Sequence, residues 1–573
     1  MKGFLPYPTS DQQLICENAQ CFEELGLRIW FYSMTPGMLD LSSFVTHFKS
    51  DGITAFADLN AGVSLLVKDL DTGQCSLAID RMGIESLCFA ATESGLYFAR
   101  DADQVSNRLE PHLRGKISRQ SVYEYLFFHS VPAPGSIFSG VQKLVPGQVL
   151  TVEHGGKPLL RHYWRPTFSD TAKDVDETRT ALRDVLSGAV ANAYHAAGSG
   201  KVGAFLSGGL DSSSVVGFFT EQQSNAPTFS IGFDVDGYDE RSYARIANNH
   251  FGANGHEYVA GSDDVLEHFE TIAKAYDEPF GNSSVVPTLL CAHLARQHGI
   301  DLLLAGDGGD ELFAGNERYA KQKVFEWYFR LPGSLRRGFF DPLAARIPED
   351  VSLMPLKKFR SYVDQANVKL PRRFETWNYA YREGIASMLE TEFASEINIE
   401  APFERMQSVY DANQTGDSVD RMLTYDWKFT LADSDLRKVN RMCEIAGVNV
   451  AFPMLDATVV DFSTGMFGRE KLKGLKLRSF YKNAMQDFLP QEILNKPKHG
   501  FGMPFGIWLK EQPELADMVY GRLQALKMRG IFRSTFIDQL IEDQKQGHAS
   551  YFGFFLWDLA MLEAWFDHKG VSV

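Results

Sequence analysis

The chain has 573 residues, of which 44% are hydrophobic and 23% charged, and its formal net charge is −16. That length exceeds one ordinary core and predicts two or more domains with the composition of a soluble globular protein, while the acidic balance excludes generic binding to nucleic-acid backbones. The cysteines Cys16, Cys21, Cys75, Cys88, Cys291 and Cys443 are scattered without zinc-site spacing, and so large a chain needs no disulfides.

The first residues, Met1-Lys2-Gly3-Phe4-Leu5-Pro6, carry no apolar signal core. From about Leu27 to Tyr163, short apolar runs alternate with turn signals: Ala61 to Val67, Cys75 to Ile79, Gly95 to Ala99, and Gly147 to Val152. These predict a sheet-rich unit. A polar stretch from Ser169 to Glu177 follows, then a helix with Leu182, Leu186 and Val190 on one face. The expected units are therefore 1–168 and 169–573. Beyond the boundary, strand-like runs at Val202 to Leu206, Thr228 to Phe233 and Leu302 to Ala305 alternate with helical ones, which predicts a parallel sheet covered by helices. After Tyr319 the pattern is mostly helical, and the apolar stretch Phe552 to Phe566 is interrupted by Asp558 and Glu563. No membrane span is expected, and the cytoplasm is the expected compartment.

Two loops carry the chemistry. In Ala204-Phe205-Leu206-Ser207-Gly208-Gly209-Leu210-Asp211-Ser212-Ser213-Ser214, an apolar strand leads through paired glycines into a helix start whose free N–H groups can hold a phosphate. Asp211 would repel that anion unless a divalent metal, Mg²⁺, bridged them. An ordinary capped strand-to-helix turn is the alternative. The P-loop pattern, with lysine after the glycines, is absent. The second loop, Ala305-Gly306-Asp307-Gly308-Gly309-Asp310-Glu311-Leu312-Phe313, places three carboxylates within five positions, costly without a neutralising cation. Its spacing does not fit a calcium-binding loop.

The first loop resembles the Ser-Gly-Gly-x-Asp-Ser pyrophosphate loop of the ATP pyrophosphatases. The second resembles the acidic glycine-rich motif of the asparagine synthetase family within that class. Further landmarks run in order through Asp80-Arg81-Met82-Gly83, Leu144-Val145-Pro146-Gly147, Asp277-Glu278-Pro279-Phe280, Lys438-Val439-Asn440-Arg441-Met442 and Lys496-Pro497-Lys498-His499-Gly500-Phe501-Gly502, so the likeness covers roughly Asp80 to the C-terminus. The resemblance implies an α/β protein: a degenerate N-terminal nucleophile-hydrolase-like sheet domain, then an adenine-nucleotide α-hydrolase-like synthetase domain with a parallel sheet and a helical C-terminal part.

Carried over residue by residue, the resemblance implies an ATP site made by Leu206, Ser207, Gly208, Gly209, Asp211, Ser212, Ser213, Ile231, Gly232, Ala305 and Gly306. It further implies Mg²⁺ held by Asp211 and Asp310, Asp307 as the base for an attacking nitrogen, and Lys498 stabilising charge at the reacting centre. Arg478 and Lys482 contact substrate or belong to a solvated helix face. Several family positions differ. Lys2 stands where glutamine-hydrolysing members carry a cysteine, the segment before Asp80 is short for a glutaminase domain, and the glutamine-binding motifs are missing. Ala305, Asn440, Asn449 and Ala451 replace the usual Ser, Asp, Glu and Arg, which argues against aspartate as the substrate.

The expected activity is an ATP-dependent, AMP-forming amide ligase without glutaminase, comparable with β-lactam synthetases and lasso-peptide cyclases. Its expected substrate is a small molecule or peptide bearing a carboxylate, joined to an amine or ammonia, with a homodimer as one expected assembly. An ammonia-dependent asparagine synthetase and a non-catalytic scaffold with a relic nucleotide site are the alternatives. The apolar side chains Leu65, Val67, Leu77, Ile79, Leu96 and Phe98 are expected to cover the synthetase unit.

Overall fold

Every strand pair formed before residue 163 is antiparallel, and every pair formed after residue 201 is parallel. The computed structural model describes residues 1–7, 14–60, 62–153, 156–169, 175–348, 352–413, 417–497, 502–547 and 549–571. Two antiparallel sheets form the N-terminal part. One runs in the order Ile15–Glu17, Lys2–Pro6, Gly95–Ala99, Cys88–Ala91, Gln142–Lys143, and the other in the order Leu159–His162, Gln148–Val152, Cys75–Ile79, Ser64–Asp69, Leu27–Tyr32, Gln20–Glu24.

Period-two alternation explains their packing, because successive side chains of a strand point to opposite faces. Leu65 and Val67 face the helix Leu41–Asp51 through Phe44, Val45 and Phe48. Leu66, Leu77, Ile79, Leu96 and Phe98 join one apolar layer shared by the two sheets. The expectation that the odd-facing residues cover the synthetase part is therefore corrected. All six are buried, but against the N-terminal sheets' own partners; the opposite faces of the strands Cys88–Ala91 and Gly95–Ala99 meet the main core instead, through Cys88, Ala90 and Ala99.

The seam with the rest of the molecule is apolar in part, with Phe128 stacked on Phe429 and Trp164 on Trp427, and polar in part. Arg81 pairs with Asp461 at 3.0 Å, Arg100 with Glu444 at 3.3 Å, and Asn60 donates to Asp456 at 2.7 Å. Asp80 organises the turn beside it, accepting from the backbone N–H groups of Met82, Ile84 and Glu85.

The third sheet has the order Asn254–Ala260, Pro227–Phe233, Val202–Phe205, Leu302–Leu304, Asn449–Ala451. Numbered along the chain this is 3-2-1-4-5, so strand order reverses between Val202–Phe205 and Leu302–Leu304, where a doubly wound sheet opens a crevice at the carboxyl ends of its strands. The register sets Ala204 against Leu304. Leu206-Ser207 and Gly306-Asp307 consequently leave the sheet side by side. Leu182, Leu186 and Val190 of the helix Val175–Ala196 are buried in the main core, as their spacing predicts.

Two strands of this parallel sheet escaped the sequence reading. Asn254–Ala260 is an edge strand with mostly exposed or half-buried side chains, and Asn449–Ala451 has only three residues, so neither carries a clear apolar period. The helix Ala549–Lys569 closes the described chain. Its buried Asp558 meets His129 Nδ1 at 2.7 Å, its carbonyl accepts from Tyr125 Oη at 2.7 Å, and Trp565 donates to the Tyr276 carbonyl at 3.2 Å. Among the described residues no helix is long and apolar enough to cross a membrane.

Candidate active site

A cleft of about 930 Å³ opens at the switch point, and both sequence-predicted loops line it. The strand Val202–Phe205 is buried and apolar because helices cover both faces of a parallel sheet. Past it, Gly208 adopts φ +68° and passes so close to the Tyr243 and Ala244 backbone that a Cβ would lie 2.5 Å from both, leaving no room for any other residue. The helix Leu210–Gln222 then starts with Gly209 as its N-cap, and no side chain caps it. Its first-turn N–H groups therefore face the cleft as an anion site. Ser207 and Ser212 hydroxyls meet at 3.1 Å across the loop, and Ser207 Oγ also accepts from Gly209 N.

The second loop approaches from the adjacent strand. A Cβ on Gly306 would lie 2.7 Å from Ser212 N, so only glycine lets the two loops touch. Asp310 stands in the first turn of the short helix Gly309–Phe313.

Of the predicted residues, Leu206, Ser207, Gly209, Asp211, Ser212, Ile231, Gly306, Asp307 and Asp310 line the cleft, while Gly208, Ser213, Gly232 and Ala305 do not. Ser213 is fully buried, its N–H already bonded to the Gly209 carbonyl within the helix, and its hydroxyl finds no partner among the described residues. Ala305 likewise stands behind the loop, bonded through N–H to Ala451 O. Lys498 lies outside the described residues.

Arg478 was expected on a helix. Instead it is the left-handed N-cap of the helix Ser479–Ala484, with φ 53° and ψ 32°, and its side chain is 2% exposed. Its guanidinium contacts Asp211 through both terminal nitrogens, one at 2.6 Å, and also contacts Asp310. Burial opposes the charge on Arg478, and the two carboxylates more than offset that, holding it above the ordinary arginine value. Gly315 accommodates this arrangement, since a Cβ there would collide with Asp310 and Arg478.

Asp307 lies half-buried on the cleft floor. Burial pushes its carboxyl up to about 6, against the pull of Lys438; Asp435 and Asp211 add to the rise. Lys438, also buried, donates to Asp435 at 2.8 Å. Burial works against its charge, yet Asp435 and Asp307 together keep it above the usual lysine value. A carboxyl near 6 beside a fixed cation is what a general base needs at neutral pH.

Lys496 is a residue whose role sequence reasoning missed. Its Nζ pairs with Glu240 at 3.1 Å and donates to the Ser207 carbonyl at 3.2 Å, above the Tyr243 ring. A lysine in the run Lys496-Pro497-Lys498 offers no periodicity to mark it. Lys482 also lines the cleft, its value lowered by burial and then by Arg478.

The donor set suits Mg²⁺. Asp211 and Asp310 supply hard carboxylate oxygens converging on one cationic group, and Mg²⁺ usually takes one or two carboxylates and completes its shell with phosphates and water. No cluster of three His, Cys, Asp or Glu side chains among the described residues offers an all-protein metal cage.

Known proteins resemble this chain. A glutamine amidotransferase domain model matches residues 39–164, so the likeness begins upstream of Asp80, earlier than the sequence landmarks placed it. Glutamine-hydrolyzing asparagine synthetase 1 of Bacillus subtilis is 23% identical over 524 residues, 91% of this chain and 79% of its own length. A putative glutamine-hydrolyzing asparagine synthetase of Mycobacterium tuberculosis is 24% identical over 575 residues, 98% of this chain and 85% of that protein. A putative asparagine synthetase of Methanocaldococcus jannaschii is 28% identical over 331 residues, covering 56% and 62%. The asparagine synthase family model matches residues 181–567, which span the parallel sheet, both loops, Arg478 and the closing helix, and the chain belongs to that family.

Proposed function

We propose that the protein is an ATP-dependent, AMP-forming amide ligase that works without a glutaminase. The carrying observation is the meeting of the Ser207–Ser212 loop, the Asp211 and Asp310 carboxylates and the Asp307–Lys438 pair in one cleft. In the first half-reaction a substrate carboxylate attacks the α phosphorus, and the bond to the pyrophosphate oxygen breaks. In the second, a nitrogen attacks the activated carbonyl, AMP leaves, and Asp307 takes the proton from nitrogen. The Ser207, Gly209 and Ser212 loop binds the departing phosphates, and Lys438 keeps Asp307 ionised near neutral pH. Asp211 and Asp310 would hold Mg²⁺, which neutralises phosphate charge when bound. Lys498 retains its sequence-based role in stabilising charge on the reacting centre.

The nitrogen source is ammonia or an amine carried by the substrate. Lys2 forms part of a central strand between Ile15–Glu17 and Gly95–Ala99, in place of a nucleophilic cysteine. Burial pushes the Cys16 thiol up to about 12 and the Cys75 thiol up to about 11, unsuited to nucleophilic work. The names of the relatives favour a second reading, an asparagine synthetase, and Lys2 makes that reading an ammonia-dependent one. Incubating the pure protein with α-labelled ATP, Mg²⁺, ammonia and candidate acids, aspartate among them, tests both readings. AMP and pyrophosphate should form only with the correct acid. Release of ADP and phosphate as primary products would overturn the ligase assignment.

A further inference from the structure

The segment Trp327 to Arg360 breaks the character of the molecule around it. In a chain of net charge −16, residues 330–360 hold seven Lys or Arg against three Asp or Glu. The same stretch concentrates apolar exposure: eight of the exposed large hydrophobic side chains fall between 327 and 356, including Trp327, Phe329, Phe339, Leu353, Met354 and Leu356.

These side chains are surplus to the local core. The helices Glu317–Phe329, Asp341–Ala345 and Met354–Asn367 pack around their own small cluster of Tyr328, Ala344, Val363 and Ala366, apart from the main core. Leu353 and Met354, at 57% and 58% exposure, protrude where the last of these helices begins, and the exposed Lys357 and Lys358 follow within one turn. Arg330, Arg337, Arg346, Lys357 and Lys358 are all exposed and make no ion pair with a described residue.

We infer that this knob docks the protein on an anionic lipid bilayer. Apolar tips flanked by lysine and arginine match the two layers of such a surface, with Leu353, Met354 and Leu356 entering the acyl boundary and the cations staying among negative headgroups. The charge of the patch opposes that of the whole chain, so the rest of the molecule is repelled while the knob is drawn in. A symmetric pairing of two copies through this face would set cations against cations. A nucleic acid would use the cations but leave the protruding leucines and methionine in water. The helix Glu317–Phe329 starts at Glu317 on the cleft wall and ends in the patch, so the docking face stands about 18 Å from the cleft at 1.5 Å per residue.

Co-sedimentation of the full-length protein with vesicles tests this. Binding is expected to neutral phosphatidylcholine vesicles doped with roughly a third phosphatidylglycerol, but not to the neutral lipid alone, and about 0.5 M salt should weaken it. Charge reversal in K357E/K358E should lower the bound fraction roughly tenfold or more. L353S/M354S should weaken binding even at low salt, an effect that charge alone would not give. Neither variant should change the rate of ATP consumption in solution. The inference is overturned by equal partitioning of wild type and variants, by indifference to lipid charge, or by absence of binding. It is equally overturned if the same substitutions abolish self-association or duplex DNA binding while lipid binding is absent.

Discussion

The Arg478 guanidinium grips the Asp211 carboxylate with both of its terminal nitrogens, although 267 residues separate the two. Through Asp310 the same guanidinium ties the second loop to the first. The two acidic groups can stand together because a cation lies between them. Replacing Arg478 by methionine leaves like charges facing each other in a half-buried site, and stability should fall by about 3 kcal/mol, the cost of breaking a buried ion network. If the carboxylates are Mg²⁺ ligands, Mg²⁺ should raise the melting temperature of R478M more than that of the wild type. Equal shifts in a thermal melt would remove the metal assignment. Asp211→Asn and Asp310→Asn should lose both the Mg²⁺ response and turnover.

Asp307, held near 6 by burial, should give the amide-forming rate an acid limb that rises through about pH 6 as the carboxyl ionises. Lys438 favours the ionised form, so Lys438→Gln should move the limb to higher pH. Asp435 disfavours it, so Asp435→Asn should move the limb lower. Asp307→Asn should retain ATP/pyrophosphate exchange while amide formation drops by roughly 10² to 10⁴. A limb that stays in place in both neighbouring variants would assign the pH dependence elsewhere.

Glutamine should not serve as nitrogen donor. The thiols of Cys16, Cys75, Cys88, Cys291 and Cys443 are all pushed up by burial. Glutamine-directed affinity labels should leave the rate with ammonia unchanged, and Cys16→Ser should behave as wild type. Glutamate released at the rate of amide formation would contradict this.

Glu85 borders a small cavity of about 60 Å³ on the polar part of the seam, with Arg100, Asn440 and Glu444. Burial raises its carboxyl to about 7, against the pull of Arg100. Because the folded value exceeds the unfolded one, the folded state binds the extra proton. Its contribution to stability is complete below about pH 4.5 and is lost as pH rises through about 7. Glu85→Gln should therefore flatten the fall in denaturation midpoint between about pH 5 and 8, a difference of up to about 3 kcal/mol. Parallel pH profiles for variant and wild type would disprove it.

The two loops were legible because each needs glycines for close approach and acids or hydroxyls for chemistry, a pattern that composition alone seldom produces. The parallel sheet was legible where strands were buried on both faces, at Val202–Phe205 and Leu302–Leu304. The exposed edge strand Asn254–Ala260 was not, because its side chains follow no apolar period. Lys438 and Lys496 lay hidden for another reason, and Arg478 stood undecided between a substrate contact and a solvated helix face. Charged side chains normally mark solvent, and only tertiary packing turns these three into the cleft. The seam was hidden likewise, since Arg81 with Asp461 and Arg100 with Glu444 join residues hundreds of positions apart.

Asp558 gives the fold a timetable. Its contact with His129 spans 429 residues, and the carbonyl that anchors Tyr125 lies on the same late helix. During synthesis the antiparallel sheets can close as soon as their own strands emerge, but His129 and Tyr125 must wait for the ribosome to finish almost everything else. At about 5–20 residues per second that wait lasts from roughly 20 seconds to well over a minute. Through that interval the surface meant for the closing helix is uncovered, making the nascent chain, rather than the finished protein, the state most in need of a chaperone.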